Sequence, residues 1–210
     1  MLISPKTLEK LRRIETTYLA LIHEPIADLA CSYLETDEHR RAVPGESAGW
    51  QPCPSGTAWG QAWGSAWFRA EMILAPEQCD GPLVIEARTG GVEALFWLDG
   101  RPAGIFNYDP WVRIRGDHRV QRIDEHPVPG RTIHIAVESY AGHPSPGSQP
   151  FETLESQTLY PAPFTRRFDG IRLCRRHDDI ARFVLDLRAL NQLSASLSSD
   201  SFRKGAVDAA

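Results

Sequence analysis

Aromatic and polar side chains that could bind a sugar are grouped in the middle of this sequence. Sugar rings present apolar C–H faces that stack on flat aromatic side chains, while neighbouring polar groups bind the hydroxyls. The candidate residues for this chemistry are Trp59, Trp63, Trp111, Asn107, Asp109 and Arg113. The alternative interpretation is that the tryptophans only pack the core, as the apolar run ALFWL around Trp97 suggests. Trp59 and Trp63 are the pair that this alternative explains least well.

No catalytic residue and no metal ligand is assigned. The seven histidines form no His-x-His or His-x-x-x-His pair, so the sequence contains no local metal motif. Glycoside hydrolysis needs two carboxylates that face the sugar. The acids nearest the predicted central strands are Glu86, Glu93 and Asp99, and the dipeptide Asp99-Gly100 is explained by a hairpin turn.

The bulk properties exclude several classes of partner. A net charge of -4 gives no long-range attraction to nucleic acid or to an anionic membrane. No apolar stretch approaches the roughly 20 residues that cross a bilayer. The four cysteines are scattered, and the charged N-terminus lacks the apolar run of a signal peptide. We therefore expect a cytoplasmic protein with reduced thiols, no nucleic-acid or membrane partner, and no cofactor in this chain.

Helical patterns lie at both ends of the chain. Apolar residues recur at helical spacing from Leu8 to Leu21, after a Ser4-Pro5 start signal, and again from Ile180 to Leu197. A further short helix is compatible with residues 26–34. A new helical pattern begins near Phe202 and is cut off at Ala210, so we expect that the chain is truncated.

Strand patterns fill the region between the helices. Short alternating or apolar runs occur at residues 65–74, 83–87, 94–98, 111–115, 132–137 and 167–174, separated by Gly- and Pro-containing turns. This spacing predicts a mainly β fold, an antiparallel β-sandwich of the jelly-roll, galactose-binding-like type with flanking N- and C-terminal helices. The predicted organisation is a helical segment 1–35, a sandwich 36–176 and a helical linker 177–210.

Four stretches resemble, in the same order, the N-terminal domain of family 38 glycoside hydrolases, the cytosolic and vacuolar α-mannosidases. They are WGQAWGSAWFRAEMILAP, VEALFWLDGRPAGIFN, IHIAVESYAG and FDGIRLCRRHDDIARFVLDLRALNQLSASL. The resemblance extends over most of residues 1–210.

The resemblance implies a retaining exo-α-mannosidase as the complete enzyme, with a zinc ion and an Asp nucleophile in a later α/β domain. Because that domain's motif does not occur here, no catalytic residue can be carried over. The chain is then a non-catalytic module whose partners are the missing catalytic domain of the same polypeptide, mannosides and, in some assemblies, further copies of itself. Two alternatives stay open: a free-standing carbohydrate-binding module, which would lose mannoside binding on Trp59→Ala or Trp63→Ala, and a ligand-free structural interaction domain.

Overall fold

The computed structural model describes residues 5–38, 40–107, 118–142, 165–197 and 202–209. The helices are α1 (Pro5–Leu19), α2 (Asp178–Ser196) and α3 (Phe202–Ala209). The strands are β1 (His23–Asp28), β2 (Cys31–Thr36), β3 (Gln51–Pro52), β4 (Ala58–Trp59), β5 (Ser65–Ile73), β6 (Leu83–Arg88), β7 (Glu93–Leu98), β8 (Arg101–Asn107), β9 (Val120–Asp124), β10 (Thr132–Tyr140), β11 (Arg166–Arg167) and β12 (Gly170–Arg176). The chain divides into a helical unit (Met1–Glu24 with Arg176–Ala210) and a β unit (Pro25–Arg175).

The β unit is built on two larger sheets and one small one. The six-stranded sheet has the order β3-β2-β5-β10-β7-β8, the four-stranded sheet has the order β1-β12-β6-β9, and β11 pairs with β4. In the six-stranded sheet, β10 is antiparallel to both β5 and β7. The predicted class, mainly β with antiparallel sheets and helices at both ends, is confirmed.

One hydrophobic core is shared by the inner faces of the two larger sheets. Phe68, Phe96 and Val137 contribute from the six-stranded sheet, and Ile85 and Leu173 contribute from the four-stranded sheet. Alternate residues of a strand point to opposite faces, so every second side chain of β5 and of β10 faces this core. Two packed layers around a common core are the arrangement of a sandwich.

Aromatic rings fill one end of this core. Phe68 stacks on Phe168 with ring centroids 4.8 Å apart, and the edge of Trp59 meets Phe68 at 5.3 Å. The indole Nε1 of Trp59 donates a hydrogen bond of 2.7 Å to the Thr89 carbonyl oxygen. Trp59 is thus both packed and hydrogen-bonded inside the protein.

The centre of strand β7 is buried on both faces at Phe96 and Trp97, as its apolar run ALFWL predicts. Ala94 and Phe96 belong to the shared core, whereas Trp97 joins Trp67 and Ala136 in a separate cluster on the outer face of the six-stranded sheet. The hairpin turn that follows is the predicted one. Asp99 and Gly100 both have positive φ, 50° and 76°, which matches a type I′ turn.

The helical unit has its own small core. Ile22 packs against Ala181 and Val184 of α2. Tyr18 contacts Phe183 with ring centroids 4.9 Å apart, and Arg188 pairs with Glu15 at 2.6 Å. Asp178 and Asp179 lie in the first turn of α2, where carboxylates stabilise the helix dipole, although the N-cap position itself is His177.

The expectation of a short helix at residues 26–34 is wrong, because these residues form parts of β1 and β2. Pro25 falls in β1, which is an edge strand, where the missing N–H of proline is tolerated. Strand β2 pairs with β5 along its whole length, from Cys31 opposite Ala70 to Thr36 opposite Ser65. Pairing with a distant strand outweighs the weak local helical preference here. The predicted strand at 111–115 and the Ser4 cap lie outside the described residues.

Candidate functional site

A cavity of about 440 Å³ lies on the outer face of the six-stranded sheet. Its polar lining comes from five side chains on four strands: Ser65, Glu93, Asn107, Glu138 and Tyr140. Leu95 and Ile105 add apolar surface. The volume falls within the roughly 300–1,000 Å³ range of small-molecule sites.

The strand register places these side chains in two rows. In the first row, Tyr140 lies opposite Ser65 on β5 and opposite Glu93 on β7, and Glu93 lies opposite Asn107 on β8. Side chains directly opposite each other in antiparallel strands have Cβ atoms about 4.5–5.5 Å apart. The first row is therefore a continuous polar line across four strands.

The second row runs beside the first and is mostly apolar. Leu95 lies opposite Ile105 on one side and opposite Glu138 on the other. Glu138 in turn lies opposite Trp67 of β5. A polar line next to apolar side chains has the composition that a sugar ring needs, because hydroxyls bind at one edge while the C–H face rests on the other.

Tyr140 is electrostatically coupled to this row. Burial, and next the neighbouring Glu93 carboxylate, raises the pKa of the Tyr140 phenol. Both causes disfavour the phenolate, so the hydroxyl keeps its proton and can both donate and accept a hydrogen bond.

The cavity contains two carboxylates, Glu93 and Glu138, and glycoside hydrolysis uses such a pair. Glu93 and Glu138 lie on adjacent strands one row apart, a diagonal relationship in which residues are about 7–8 Å apart and their Cβ atoms somewhat closer. Inverting glycosidases hold their carboxyl groups roughly 6.5–9.5 Å apart, but the general acid of such a pair is desolvated so that it keeps its proton at neutral pH. Glu93 is exposed. The pair is therefore better suited to accepting hydrogen bonds from sugar hydroxyls than to acid catalysis.

The sequence-predicted site residues are placed very differently. Asn107 lines the cavity. Trp63 is 62% exposed and lies two residues before the cavity residue Ser65. Its φ of 67° is costly for a bulky side chain, and its backbone N–H donates to Gly142 O at 2.8 Å. Trp59 is only 2% exposed, so neither face of its ring is free for a sugar. Trp111, Asp109 and Arg113 lie outside the described residues.

Sequence reasoning assigned no site role to four polar cavity residues: Ser65, Glu138 and Tyr140, and Glu93, which it placed only near the central strands. Each of them lies on the outer face of its strand. A polar side chain at such a position is most simply explained by contact with solvent, so the sequence does not mark it as part of a site. Their convergence depends on the register between strands that are far apart in sequence.

One segment matches a catalytic sequence motif but does not have the local structure that the motif requires. Gly45-Glu46-Ser47-Ala48-Gly49 matches the Gly-x-Ser-x-Gly pattern of serine hydrolases. In such enzymes the serine sits on a sharp turn between a strand and a helix. Here the segment is a 3-10 turn, Glu46–Ala48, that leads into the short strand β3. Ser47 is therefore not positioned as a nucleophile of that class.

The described ranges also bear on metal binding and on membrane insertion. Those residues include no group of three or more His, Cys, Asp or Glu side chains that could hold a metal ion. None of the helices in the same ranges combines the length and the apolar character needed to cross a bilayer.

No protein-family model and no curated protein sequence matches this chain. Similar solved structures include β-glucuronidase from Ruminococcus gnavus in complex with uronic deoxynojirimycin, with 12% identity, a TM-score of 0.45, and coverage of 74% of this chain and 29% of that chain. A β-glucuronidase from an uncultured Clostridium sp. shows 12% identity and a TM-score of 0.45, covering 73% of this chain and 29% of that one. This chain thus spans less than a third of the length of those enzymes, and a similarity this low assigns no activity to it.

Proposed function

We propose that this chain is a non-catalytic β-sandwich module of a glycoside hydrolase, of α-mannosidase type, and that it binds α-mannosides in the cavity on the outer face of its six-stranded sheet. The observation that carries the binding proposal is the polar row Ser65–Tyr140–Glu93–Asn107 beside Leu95 and Ile105. The mannosidase assignment is supported by the four sequence stretches that resemble that family.

The cavity offers hydrogen-bonding groups of both kinds. The carboxylates of Glu93 and Glu138 accept hydrogen bonds from sugar hydroxyls, and the amide of Asn107 both donates and accepts. Leu95 and Ile105 supply the apolar surface for the C–H face of the ring. Hydroxyl groups, which also donate and accept, match this mixture better than a purely anionic or purely apolar ligand does.

The non-catalytic role rests on the exposure of Glu93 and on the lack of the family's catalytic motif in this sequence. In this proposal the zinc ion and the Asp nucleophile belong to a catalytic domain of the same polypeptide, which is the module's main partner. A cytoplasmic location is part of the proposal, because Cys31, Cys53, Cys79 and Cys174 are all free thiols.

Titration calorimetry with α-mannobiose tests the binding proposal. The wild-type protein should release heat in a saturable manner, and Asn107→Ala and Glu93→Gln should each weaken binding about 5- to 30-fold, the effect of losing one or two hydrogen bonds. Glu77→Gln is the matched control, because Glu77 is exposed and lies in a 3-10 turn outside the six-stranded sheet. No heat from the wild-type protein would favour the ligand-free structural domain instead.

Hydrolysis is measured on the same samples with an aryl α-mannoside. The proposal expects no turnover by this chain. Turnover that disappears in Glu93→Gln or Glu138→Gln would instead identify the two carboxylates as a catalytic pair.

A further inference from the structure

A second cavity, of about 760 Å³, lies on the same outer sheet face as the first. Its lining includes Arg69 and Glu71 of β5 and His134 and Ala136 of β10. Val43, Pro44 and Glu46, from the segment before β3, form another wall of it. The residues of β5 and β10 continue the rows of the first cavity, because Ala136 lies opposite Arg69 and His134 lies opposite Glu71. Four successive rows on one sheet face extend over about 20 Å, since two residues of a strand rise about 6.8 Å.

Two tryptophans separate the cavities. Trp67 lies opposite Glu138, in a row of the first cavity, and Trp97 lies opposite Ala136, in a row of the second. Their ring centroids are 5.7 Å apart, and the two residues are 0% and 5% exposed. Across the described part of the chain, neither indole Nε1 has a hydrogen-bond partner. Buried N–H donors are nearly always satisfied, so two unpaired ones side by side need an explanation.

The cover over these tryptophans is a short segment, residues 43–50, which we call the strap. Val43 and Trp50 pack on the cluster of Trp67, Trp97 and Ala136. The strap folds on itself through a hydrogen bond of 3.0 Å from Trp50 Nε1 to Gly45 O.

Within the described residues, one ion pair joins the strap to the sheet face. Arg69 donates two hydrogen bonds to Glu46, of 2.6 and 2.8 Å, and its guanidinium lies 4.3 Å from the centroid of the Trp50 ring. The Glu46 side chain is 87% exposed, and exposed ion pairs hold a segment only weakly. Beyond the apolar packing of Val43 and Trp50, the described part of the chain therefore holds the strap over the two unsatisfied indole donors only by weak polar contacts.

We infer that a neutral oligosaccharide displaces the strap, and that Trp67 and Trp97 then form an aromatic subsite joining the two cavities into one groove. A sugar ring would stack on the indole faces, and its hydroxyl oxygens would accept hydrogen bonds from the indole N–H groups. This inference rests on the proposed function, since it extends the same mannoside site along the sheet.

The test compares Glu46→Ala with Glu38→Ala. Both substitutions remove a surface ion pair, Arg69–Glu46 in the first and Arg40–Glu38 in the second, but only the first removes a contact between the strap and the sheet. The affinity for an α-linked mannotetraose should rise about threefold to fivefold in Glu46→Ala, the amount that a surface ion pair contributes. The affinity for α-mannobiose, which fits the first cavity alone, should stay unchanged in both variants.

A second readout needs no sugar. Hydrogen exchange of the indole N–H protons, followed by NMR, should be faster for Trp67 and Trp97 in Glu46→Ala than in the wild type or in Glu38→Ala. Unchanged exchange rates, or an equal effect on both sugars, would overturn the strap inference while mannobiose binding would still uphold the proposed function. Failure of every variant to bind either sugar would overturn both.

Discussion

Tyr140 and Glu93 lie directly opposite each other on β10 and β7, and their side chains share the outer face of the six-stranded sheet. The half-buried phenol and the exposed carboxylate form the centre of the polar row that lines the first cavity. Because the Glu93 charge contributes to the raised pKa of Tyr140, titration of the phenol should respond to the charge of Glu93.

Neutralising Glu93 should lower the pKa of Tyr140. Burial is the larger cause of the shift and remains in Glu93→Gln, so the pKa should fall but stay above the ordinary value of about 10. The measurement is a pH titration by NMR with tyrosine labelled at Cζ. Glu71→Gln, which removes a carboxylate at the far end of the same sheet face, should leave the titration unchanged. An unchanged or higher pKa in Glu93→Gln would contradict the predicted coupling.

The raised pKa of Tyr140 should also make the free energy of unfolding depend on pH in the alkaline range. A raised pKa means that the folded protein keeps the phenol proton at a pH where the unfolded chain has released it. The free energy of unfolding should therefore fall as the pH rises from about 10 towards the folded-state pKa of Tyr140. Urea unfolding at a series of pH values would measure how steeply the free energy of unfolding falls with pH. This slope should be shallower in Tyr140→Phe.

Removing the central ring of the core should destabilise the β unit strongly. Phe68 is fully buried between Trp59 and Phe168, so Phe68→Ala should lower the free energy of unfolding by about 3–5 kcal/mol. Ile73 lies on the same strand but is 66% exposed, and Ile73→Ala should cost less than about 0.5 kcal/mol. Urea unfolding followed by tryptophan fluorescence distinguishes the two. Similar losses for both variants would argue against this packing.

Three of the four cysteines should resist alkylation in the folded protein. Burial raises the pKa of Cys31 to about 12, and of Cys53 and Cys174 to about 11 each. Only the thiolate reacts with iodoacetamide, so these thiols should stay unmodified at pH 8 while the half-buried Cys79 is modified first. Peptide mass spectrometry identifies the modified residues, and all four should react in urea. Rapid labelling of Cys31 in the folded protein would contradict the prediction.

A methyl group at Gly91 should disturb the strand that carries Tyr140. A Cβ at this position would collide with Ser139 Oγ and would lie 2.7 Å from the Tyr140 carbonyl oxygen. Gly91→Ala should therefore cost about 1–3 kcal/mol of unfolding free energy. Gly205 of α3 has no atom within 4 Å of the equivalent position, so Gly205→Ala should be neutral or slightly stabilising. Thermal unfolding compares the two variants, and equal melting temperatures would contradict the predicted collision.

The elements with strong local periodicity could be predicted from the sequence. The alternating run at 65–74 became β5, the run at 132–137 became β10, and the two terminal amphipathic patterns became α1 and α2. Strands β1 and β2 could not be predicted, because their conformation depends on pairing with strands remote in sequence.

The site was less accessible to prediction than the fold. The sequence predicts a sugar-binding role for Trp59, but pairing of β4 with β11 places it against Phe68 in the core. The polar row brings together residues 65, 93, 107 and 140, and only the register of four strands aligns them. A one-residue slip in any of these strands would turn its side chain to the opposite face.

Mapping of α-mannobiose binding by NMR tests the proposed site most directly. Amide chemical shifts of the labelled protein, recorded during a titration with the disaccharide, should change in a saturable way at Ser65, Glu93, Asn107 and Tyr140. Residues of α1 and α2 should stay unaffected. Shift changes confined to the helices, or none at millimolar sugar, would contradict a mannoside site on this sheet face.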